Sequence, residues 1–398
     1  MTSQVSVPDY RHFVNRLADE LVANGAVVSA PVEAAFRKVP RHLFIDRAKA
    51  WFDEGKEWRG VVCDHQHPDP QVLDRIYRND VIQISDSATS SEPGCMAWML
   101  EDLGLRPRMK VLEVGTGSGY NAALLAEIVG DPSLVYSVEV DEQLARSAKR
   151  HLEEAGYHDA TVVTGDGAKG YVPGAPYDAI IVTCGCNDLA PAWVEQVTKD
   201  GTVLFPLHFA PAGDPTLLVR RTEGELRGHF TRLIYFVNCT SELLPPPTLP
   251  RIMDMAEALA LSPEQAQLGF RLPVSVEGRD HGYSFVMFML ANLTPDEHLV
   301  AHHGMATGIA DTAARQACAL TAEHALTAVG GRQVLERFRA IARRWEELGC
   351  PRLQEYAITV RAAGMATDGE SRVGVFTRRY HDYLLTLDEV APTDEGQV

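Results

Sequence analysis

The sequence predicts an α/β chain in which a doubly wound parallel sheet is preceded by helices and followed by an α+β domain. Three observations carry this. From Lys110 to about Tyr235, short apolar runs alternate with amphipathic helical windows. A glycine-rich turn, Gly115-Thr116-Gly117-Ser118-Gly119, joins the first run to the first window. A proline cluster, Leu244-Pro245-Pro246-Pro247-Thr248-Leu249-Pro250, then stops the pattern, and a different one follows.

Tyr10 to Val22 reads as a helix, and Ser29-Ala30-Pro31 opens a second that ends near Val39-Pro40. Trp51 to Pro70, within an insertion spanning about 48–71, mixes charge, glycine, histidine and proline without periodicity and is expected to be a loop or a short irregular excursion. Strands are expected at Lys110 to Val114, Val135 to Val140, Ala160 to Val163, Tyr177 to Thr183 and Gly201 to Pro206, with helices at Tyr120 to Val129 and Asp141 to Glu154. Apolar strands separated by helical crossovers form a parallel sheet covered on both faces. Thr216 to Val219 and Leu226 to Phe236 read as antiparallel strands completing its edge. The first domain is therefore placed at 1–245 and the second at 246–398. In the second, Ser262-Pro263-Glu264-Gln265 and Thr294-Pro295-Asp296-Glu297 read as helix starts, each with a capping hydroxyl, a proline and a reciprocal acceptor. Strands are expected at Pro273 to Val276, Tyr283 to Leu290, Tyr356 to Arg361 and Arg372 to Thr377. Val334 to Leu348 is expected as an amphipathic core helix, and Ala391 to Val398 as a disordered tail.

Composition narrows the function. With 37 basic and 54 acidic side chains the net charge is −17, which excludes bulk attraction to phosphate backbones, so no nucleic-acid partner is expected. The apolar runs are too short to cross a bilayer, so no membrane partner is expected either. Asp9, Arg11, Arg16, Asp19 and Glu20 break up any apolar signal core, and the seven cysteines are odd in number and thinly spread; a cytoplasmic chain with reduced thiols is expected. Cys63-Asp64-His65-Gln66-His67, and His298 with His302 on an expected helix, offer ligand types but no complete set at fixed spacing, so no metal is expected. Cys184-Gly185-Cys186, after the fourth strand, reads as small residues leaving room for substrate.

The chemistry is carried by Val111-Leu112-Glu113-Val114-Gly115-Thr116-Gly117-Ser118-Gly119-Tyr120, a strand running through the glycine turn into a helix. Glycine lets the backbone approach a nucleotide closely and leaves amides pointing at it. A dinucleotide fold wants G-x-G-x-x-G; here Tyr120 replaces the third glycine and Glu113 lies in the strand end. Both departures argue against a pyrophosphate and for a small nucleoside with a positive centre. Glu139 ends the second strand, where a carboxylate can accept both ribose hydroxyls. Asp166, in Gly165-Asp166-Gly167 after the third strand, can meet an adenine amino group. The combination resembles the class I methyltransferases, whose Rossmann-like sheet uses S-adenosylmethionine. The resemblance implies cofactor contacts at Glu113, Gly115, Thr116, Gly117, Ser118, Gly119, Tyr120, Glu139, Asp166 and Gly167.

A narrower resemblance covers residues 10 to about 240. Val39-Pro40-Arg41-His42-Leu43-Phe44, Tyr77-Arg78-Asn79-Asp80, Thr89-Ser90-Ser91-Glu92-Pro93, Pro176-Tyr177-Asp178, Pro191 with Glu195-Gln196, and Phe205-Pro206 stand in one order. They resemble the protein-L-isoaspartate O-methyltransferase family, with its V-P-R-x-x-F, T-I-S-x-P and later E-Q-x and P-V-G segments. The resemblance implies Ser91, with Thr89 beside it, as the catalytic residue on the substrate side. Taken alone, Ser91 could equally cap the helix beginning near Pro93. Methylation of a carboxylate needs no general base and no metal, because the acceptor is already ionised near neutral pH. The ester formed can then be attacked by the next backbone nitrogen, releasing methanol and leaving a succinimide that opens to aspartate or isoaspartate.

This sequence departs from the family pattern at Ser90, Glu92, Lys199-Asp200-Gly201 and Leu207-His208, in the insertion, and in about 150 added C-terminal residues. The extension implies recognition of something particular. It is similar to the extended homologues of ribosomal peptide biosynthesis, which methylate an aspartate of a lanthipeptide, lasso peptide or graspetide. On that resemblance the expected partner is a modified, constrained precursor peptide gripped by the C-terminal domain; the alternative is a general L-isoaspartyl repair methyltransferase.

Overall fold

The computed structural model describes residues 10–52, 56–208, 214–222, 224–240, 243, 255–256, 264–267, 279–302, 305–320, 325–365 and 373–387. The chain divides into two compact units. One comprises Met1–Cys184, Ala190–Phe205 and Val237–Leu243; the other comprises Gly185–Leu189, Pro206–Phe236 and Leu244–Val398. The strand pair expected at the edge of the first domain therefore clusters with the second unit. The proline cluster and the terminal tail lie outside the described residues.

The first unit opens with helix α1 (Arg11–Ala23), which buries Val14, Leu17 and Leu21, and α2 (Ala30–Lys38), which carries Pro31 in its first turn and buries Val32 and Phe36. Strands β1 (Arg47–Phe52) and β2 (Glu57–Val62) then pair antiparallel from Arg47↔Val62 to Phe52↔Glu57. The expected loop is thus a hairpin. Of β2 only Val61 is buried, so neither face carries the apolar alternation by which a strand is recognised. Helix α3 (Pro70–Ile76) follows, with Asp69 accepting from Gln71 N at 2.7 Å as its cap. Short strands β3 (Ile82–Gln83) and β4 (Thr89–Ser90) extend the hairpin into one sheet, ordered β2-β1-β3-β4. Helix α4 (Pro93–Leu103) starts directly after it.

The second sheet of this unit has the five strands and two helices that the sequence predicts, and a short third helix at Pro191–Gln196 that it does not. Strand β5 (Val111–Val114) leads to α5 (Tyr120–Val129), β6 (Val135–Glu139) to α6 (Glu142–Glu154), and then come β7 (Thr161–Thr164), β8 (Tyr177–Val182), α7 (Pro191–Gln196) and β9 (Val197–Pro206). The order β9-β8-β5-β6-β7 is parallel throughout. Because β6 and β7 lie to one side of β5 and β8 and β9 to the other, the winding reverses at β5. Ligands of open α/β sheets bind at the carboxyl edge of such a point.

The second unit begins with hairpin β10 (Asp214–Thr222) and β11 (Glu225–Ile234). It continues through β12 (Glu264–Gln267), α8 (Arg279–Leu290), β13 (Glu297–His302), β14 (Met305–Asp311), β15 (Gln316–Leu320), β16 (Ala325–Val329), α9 (Gln333–Glu347), β17 (Tyr356–Ala362), β18 (Gly374–Thr377) and β19 (His381–Leu387). Two antiparallel sets result, β18-β19-β17-β11-β10 and β12-β16-β15-β14-β13. Helices α8 and α9 pack through Phe285, whose ring meets Phe338 at 5.9 Å and Trp345 at 5.2 Å.

Several expectations fail here. Tyr283 to Leu290 is helical, because a run apolar on every face carries no period to separate a buried strand from a buried helix. Glu264 and Glu297 stand in strands, not at helix starts. At the second site only the acceptor half of the expected cap is seen: Thr294 N donates to Glu297 Oε2 at 2.8 Å, while Glu297 N donates to the Thr294 backbone carbonyl at 3.0 Å and not to its hydroxyl. They close a turn, after which the chain extends. His298 and His302 are therefore on a strand, which removes the helical face they were expected to share. The expected strand Pro273 to Val276 lies outside the described residues. No described helix is long and apolar enough to cross a membrane.

Candidate active site

The glycine turn is shaped by its neighbours. Gly115 N donates to Val138 O at 2.9 Å, tying the turn to β6. Gly115 has φ +96°, and a Cβ there would stand 2.4 Å from Thr183 Oγ1, so only glycine meets both demands. Thr183 Oγ1 in turn donates to the Gly115 carbonyl at 2.8 Å. Beneath the turn, Glu113 is completely buried. Its Oε1 accepts from Asn121 Nδ2 at 2.8 Å and its Oε2 from Ser137 Oγ at 2.5 Å, and Ser137 Oγ lies 2.6 Å from Thr116 Oγ1. Burial pushes the Glu113 carboxyl up to about 7, against the pull of those two hydrogen bonds.

Glu139, at the end of β6, accepts from Gly117 N at 2.8 Å and from Asp141 N at 3.2 Å. A carboxylate has about four lone-pair sites, so these bonds leave acceptor capacity at the mouth of the turn. Asp166 follows β7 and accepts from Ala168 N at 3.0 Å; the Gly167 carbonyl is held by Trp193 Nε1 at 2.8 Å. The glycines, Glu139, Asp166 and Gly167 thus gather at the carboxyl ends of β5, β6 and β7. Tyr120 stands elsewhere: its buried ring packs against Phe36 and Phe44 with centroids 6.4 and 5.6 Å away. Glu113 lies under the turn and acts on it from below.

Thr89 and Ile84 reach this turn, since a Cβ on Gly117 would meet the Thr89 carbonyl at 3.5 Å and Ile84 Cδ1 at 3.9 Å. The helix-cap reading of Ser91 has no geometry behind it, because Glu92 occupies the cap position of α4 and no side chain caps it. What fixes the segment is Arg41, which sequence reading quoted within its motif and gave no role. Its guanidinium is fully buried and donates to the carbonyls of Ile76 (2.9 Å), Arg78 (3.1 Å), Asp80 (3.1 Å) and Ser91 (3.0 Å), with Tyr120 under its face at 5.9 Å. Burial lowers its pKa to about 10, which still leaves it charged at neutral pH. Ser91 is partly exposed, and Ser90 beside it is buried.

The donor set fits a nucleoside carrying a cation. Residues 113–120, 137–142 and 164–168 contain carboxylates and backbone amides but no lysine or arginine, so a pyrophosphate would meet uncompensated negative charge. Among the described residues, no three His, Cys, Asp or Glu side chains are placed to hold a metal ion.

Comparison with known proteins agrees. The pattern of the family described as Protein-L-isoaspartate(D-aspartate) O-methyltransferase (PCMT) matches residues 64–244. The protein-L-isoaspartate O-methyltransferase of Pyrococcus horikoshii is 39% identical over 214 residues, covering 53% of this chain and 86% of that protein. That of Ignicoccus hospitalis is 37% identical over 196 residues, covering 49% and 82%. The chain belongs to the protein-L-isoaspartate O-methyltransferase family. Family membership makes it an S-adenosylmethionine-dependent carboxyl O-methyltransferase with a class I fold. A solved protein-L-isoaspartate O-methyltransferase structure aligns with TM-score 0.54 and 21% identity over 94% of this chain and 99% of that one, which shows the same fold.

Proposed function

We propose that this chain is an L-isoaspartyl protein repair methyltransferase, and that Ser91 and the strand-end carboxylates are its working residues. The observation that carries the reading is the Thr89 carbonyl set against Gly117 of the glycine turn, two residues before Ser91, in a chain whose sequence relatives are methyltransferases named for isoaspartate. In isoaspartate the backbone runs through the side-chain carboxyl, so the free group is an α-carboxylate, ionised above about pH 4. The nucleophile is therefore already anionic, and neither a base nor a metal ion is required.

The cofactor, when bound, supplies a methyl group on a positively charged sulfur. Glu139 accepts hydrogen bonds from its ribose and Asp166 from its adenine amino group, while Glu113 and Ser137 keep the turn rigid beneath. Ser91 Oγ donates to one oxygen of the acceptor carboxylate and leaves the other in line for attack. Arg41 holds the Ser91 carbonyl and so sets where that hydroxyl stands. The second unit serves the substrate chain away from the reacting group, where binding energy helps position it.

The extension beyond residue 245 prompts a narrower alternative, methylation of one modified ribosomal peptide. The aligned structure covers 94% of this chain and so reaches into the extension, which by itself does not single out that role. A synthetic isoaspartyl peptide with labelled cofactor separates the two. The repair reading expects a base-labile methyl ester and released methanol, with none from the L-aspartyl control. Methylation of a ring-closed precursor peptide alone, with the isoaspartyl peptide left untouched, would establish the narrower function.

A further inference from the structure

The glycine turn is also held from the side of α6, by groups that the chemistry above does not use. His151, in the last turn of that helix, is 4% exposed. Its Nδ1 lies 2.9 Å from the Ser118 carbonyl, an atom that can only accept, so Nδ1 carries a proton and donates. The other ring nitrogen faces Asp46 Oδ2 at 3.1 Å and Arg150 Nη2 at 3.2 Å. Arg150 is itself bonded to Asp46 and lies 3.3 Å from Glu154. Phe44 and His65 meet the ring edge-on at 6.1 and 6.0 Å. The imidazole is thus fixed at both nitrogens and packed against two other rings.

Its target matters because the Ser118 carbonyl and the Gly119 amide belong to one peptide plane. Gly119 N donates to Thr116 O at 2.9 Å within the turn, and Gly119 has φ +87°. With the carbonyl free, the plane is anchored at one end by a bond internal to the turn. With the carbonyl held by His151, the plane is anchored to α6.

We propose that Asp46 and His151 form a positioning dyad for cofactor binding: Asp46 sets the imidazole, the imidazole holds the Ser118 carbonyl, and the Ser118–Gly119 peptide is kept in the orientation that receives the nucleoside. The proposal rests on the assignment of the glycine turn to S-adenosylmethionine. Neither residue touches cofactor or substrate; both act through the turn.

The test is the dissociation constant of S-adenosylhomocysteine by calorimetry, paired with turnover of an isoaspartyl peptide and a melting temperature for each variant. His151→Leu is expected to weaken binding about five- to tenfold, the loss of one buried hydrogen bond. Turnover at saturating cofactor stays within about twofold, because the reacting atoms are untouched. His151→Asn, whose amide nitrogen takes the place of Nδ1, recovers most of the affinity although it is smaller. Asp46→Asn, at a half-exposed site that tolerates the change, weakens binding about threefold. A structural role alone would lower the melting temperature of His151→Leu, leave the dissociation constant unchanged, and give Asn no advantage over Leu. Wild-type affinity in folded His151→Leu, or in Asp46→Asn should His151→Leu not fold, overturns the dyad. Failure of the wild-type chain to bind S-adenosylhomocysteine overturns instead the assignment of the turn on which it rests.

Discussion

Replacing Glu113 by glutamine probes the network under the cofactor turn in a way that can be worked out in advance. In the folded chain the carboxyl is fully enclosed and burial raises its pKa from 4.5 to about 7, despite the hydrogen bonds from Ser137 and Asn121. In the unfolded chain it titrates near 4.5. Between these values the folded state holds the proton and the unfolded state does not, so the contribution of Glu113 is fully present below about pH 4.5 and is lost as pH rises through about 7. A shift of about 2.5 pH units corresponds to about 3 kcal/mol. Glutamine keeps an oxygen for Asn121 and offers its amide to Ser137 Oγ, whose proton can turn to Thr116 Oγ1, 2.6 Å away. The variant is neutral at every pH and escapes the loss. Urea unfolding of both proteins from pH 4 to pH 8 measures it, because groups common to the two cancel in the difference. Glu113→Gln is expected to gain about 3 kcal/mol on the wild type across that range, most of it between pH 4.5 and 7. A difference flat to within about 0.5 kcal/mol would show that the buried carboxyl ionises at its ordinary pKa, and the account of the network would be wrong.

Two further substitutions act on the Thr89–Ser91 segment and its support. Ser91→Ala removes a hydroxyl that bonds a charged acceptor, which is worth about 1.5–3 kcal/mol, so kcat/KM for an isoaspartyl peptide should fall about 10- to 100-fold while the affinity for S-adenosylhomocysteine holds; unchanged kinetics would remove Ser91 from the site. Arg41→Met leaves the carbonyls of Ile76, Arg78, Asp80 and Ser91 without their shared donor and should cost about 3 kcal/mol or more in denaturant unfolding, together with activity. A stable Arg41→Met variant with full turnover would refute the role given to this arginine.

What could be read from the sequence depended on whether the deciding interaction was local. Strands β5 to β9 and the helices α5 and α6 announce themselves, because strand length, apolar runs and caps such as Asp141, which accepts from Gln143 N and Leu144 N, all act within a few residues. Glu139 and Asp166 were placed by the same logic: a residue that ends a strand of a wound sheet must stand at its carboxyl edge. Glu113 and Tyr120 sit in the same motif, yet which way each side chain turns is decided by Ser137, Asn121, Phe36 and Phe44 from other elements. A strand buried on both faces has no alternation to reveal the direction. The Thr294 to Glu297 turn makes the same point from the other side. The glutamate bond forms as the residues predict, but the chain beyond it is strand because Glu297 to His302 pairs with Met305 to Asp311, a partner no cap can specify. Arg41 is the extreme case, for its five carbonyl partners are 35 to 50 residues away and are backbone groups, invisible to any side-chain pattern. The carboxyl edge that carries Glu139 and Asp166 could therefore be located from sequence, whereas the groups that hold its surroundings in place, Arg41 for the serine segment and Glu113 for the turn, became apparent only with the fold.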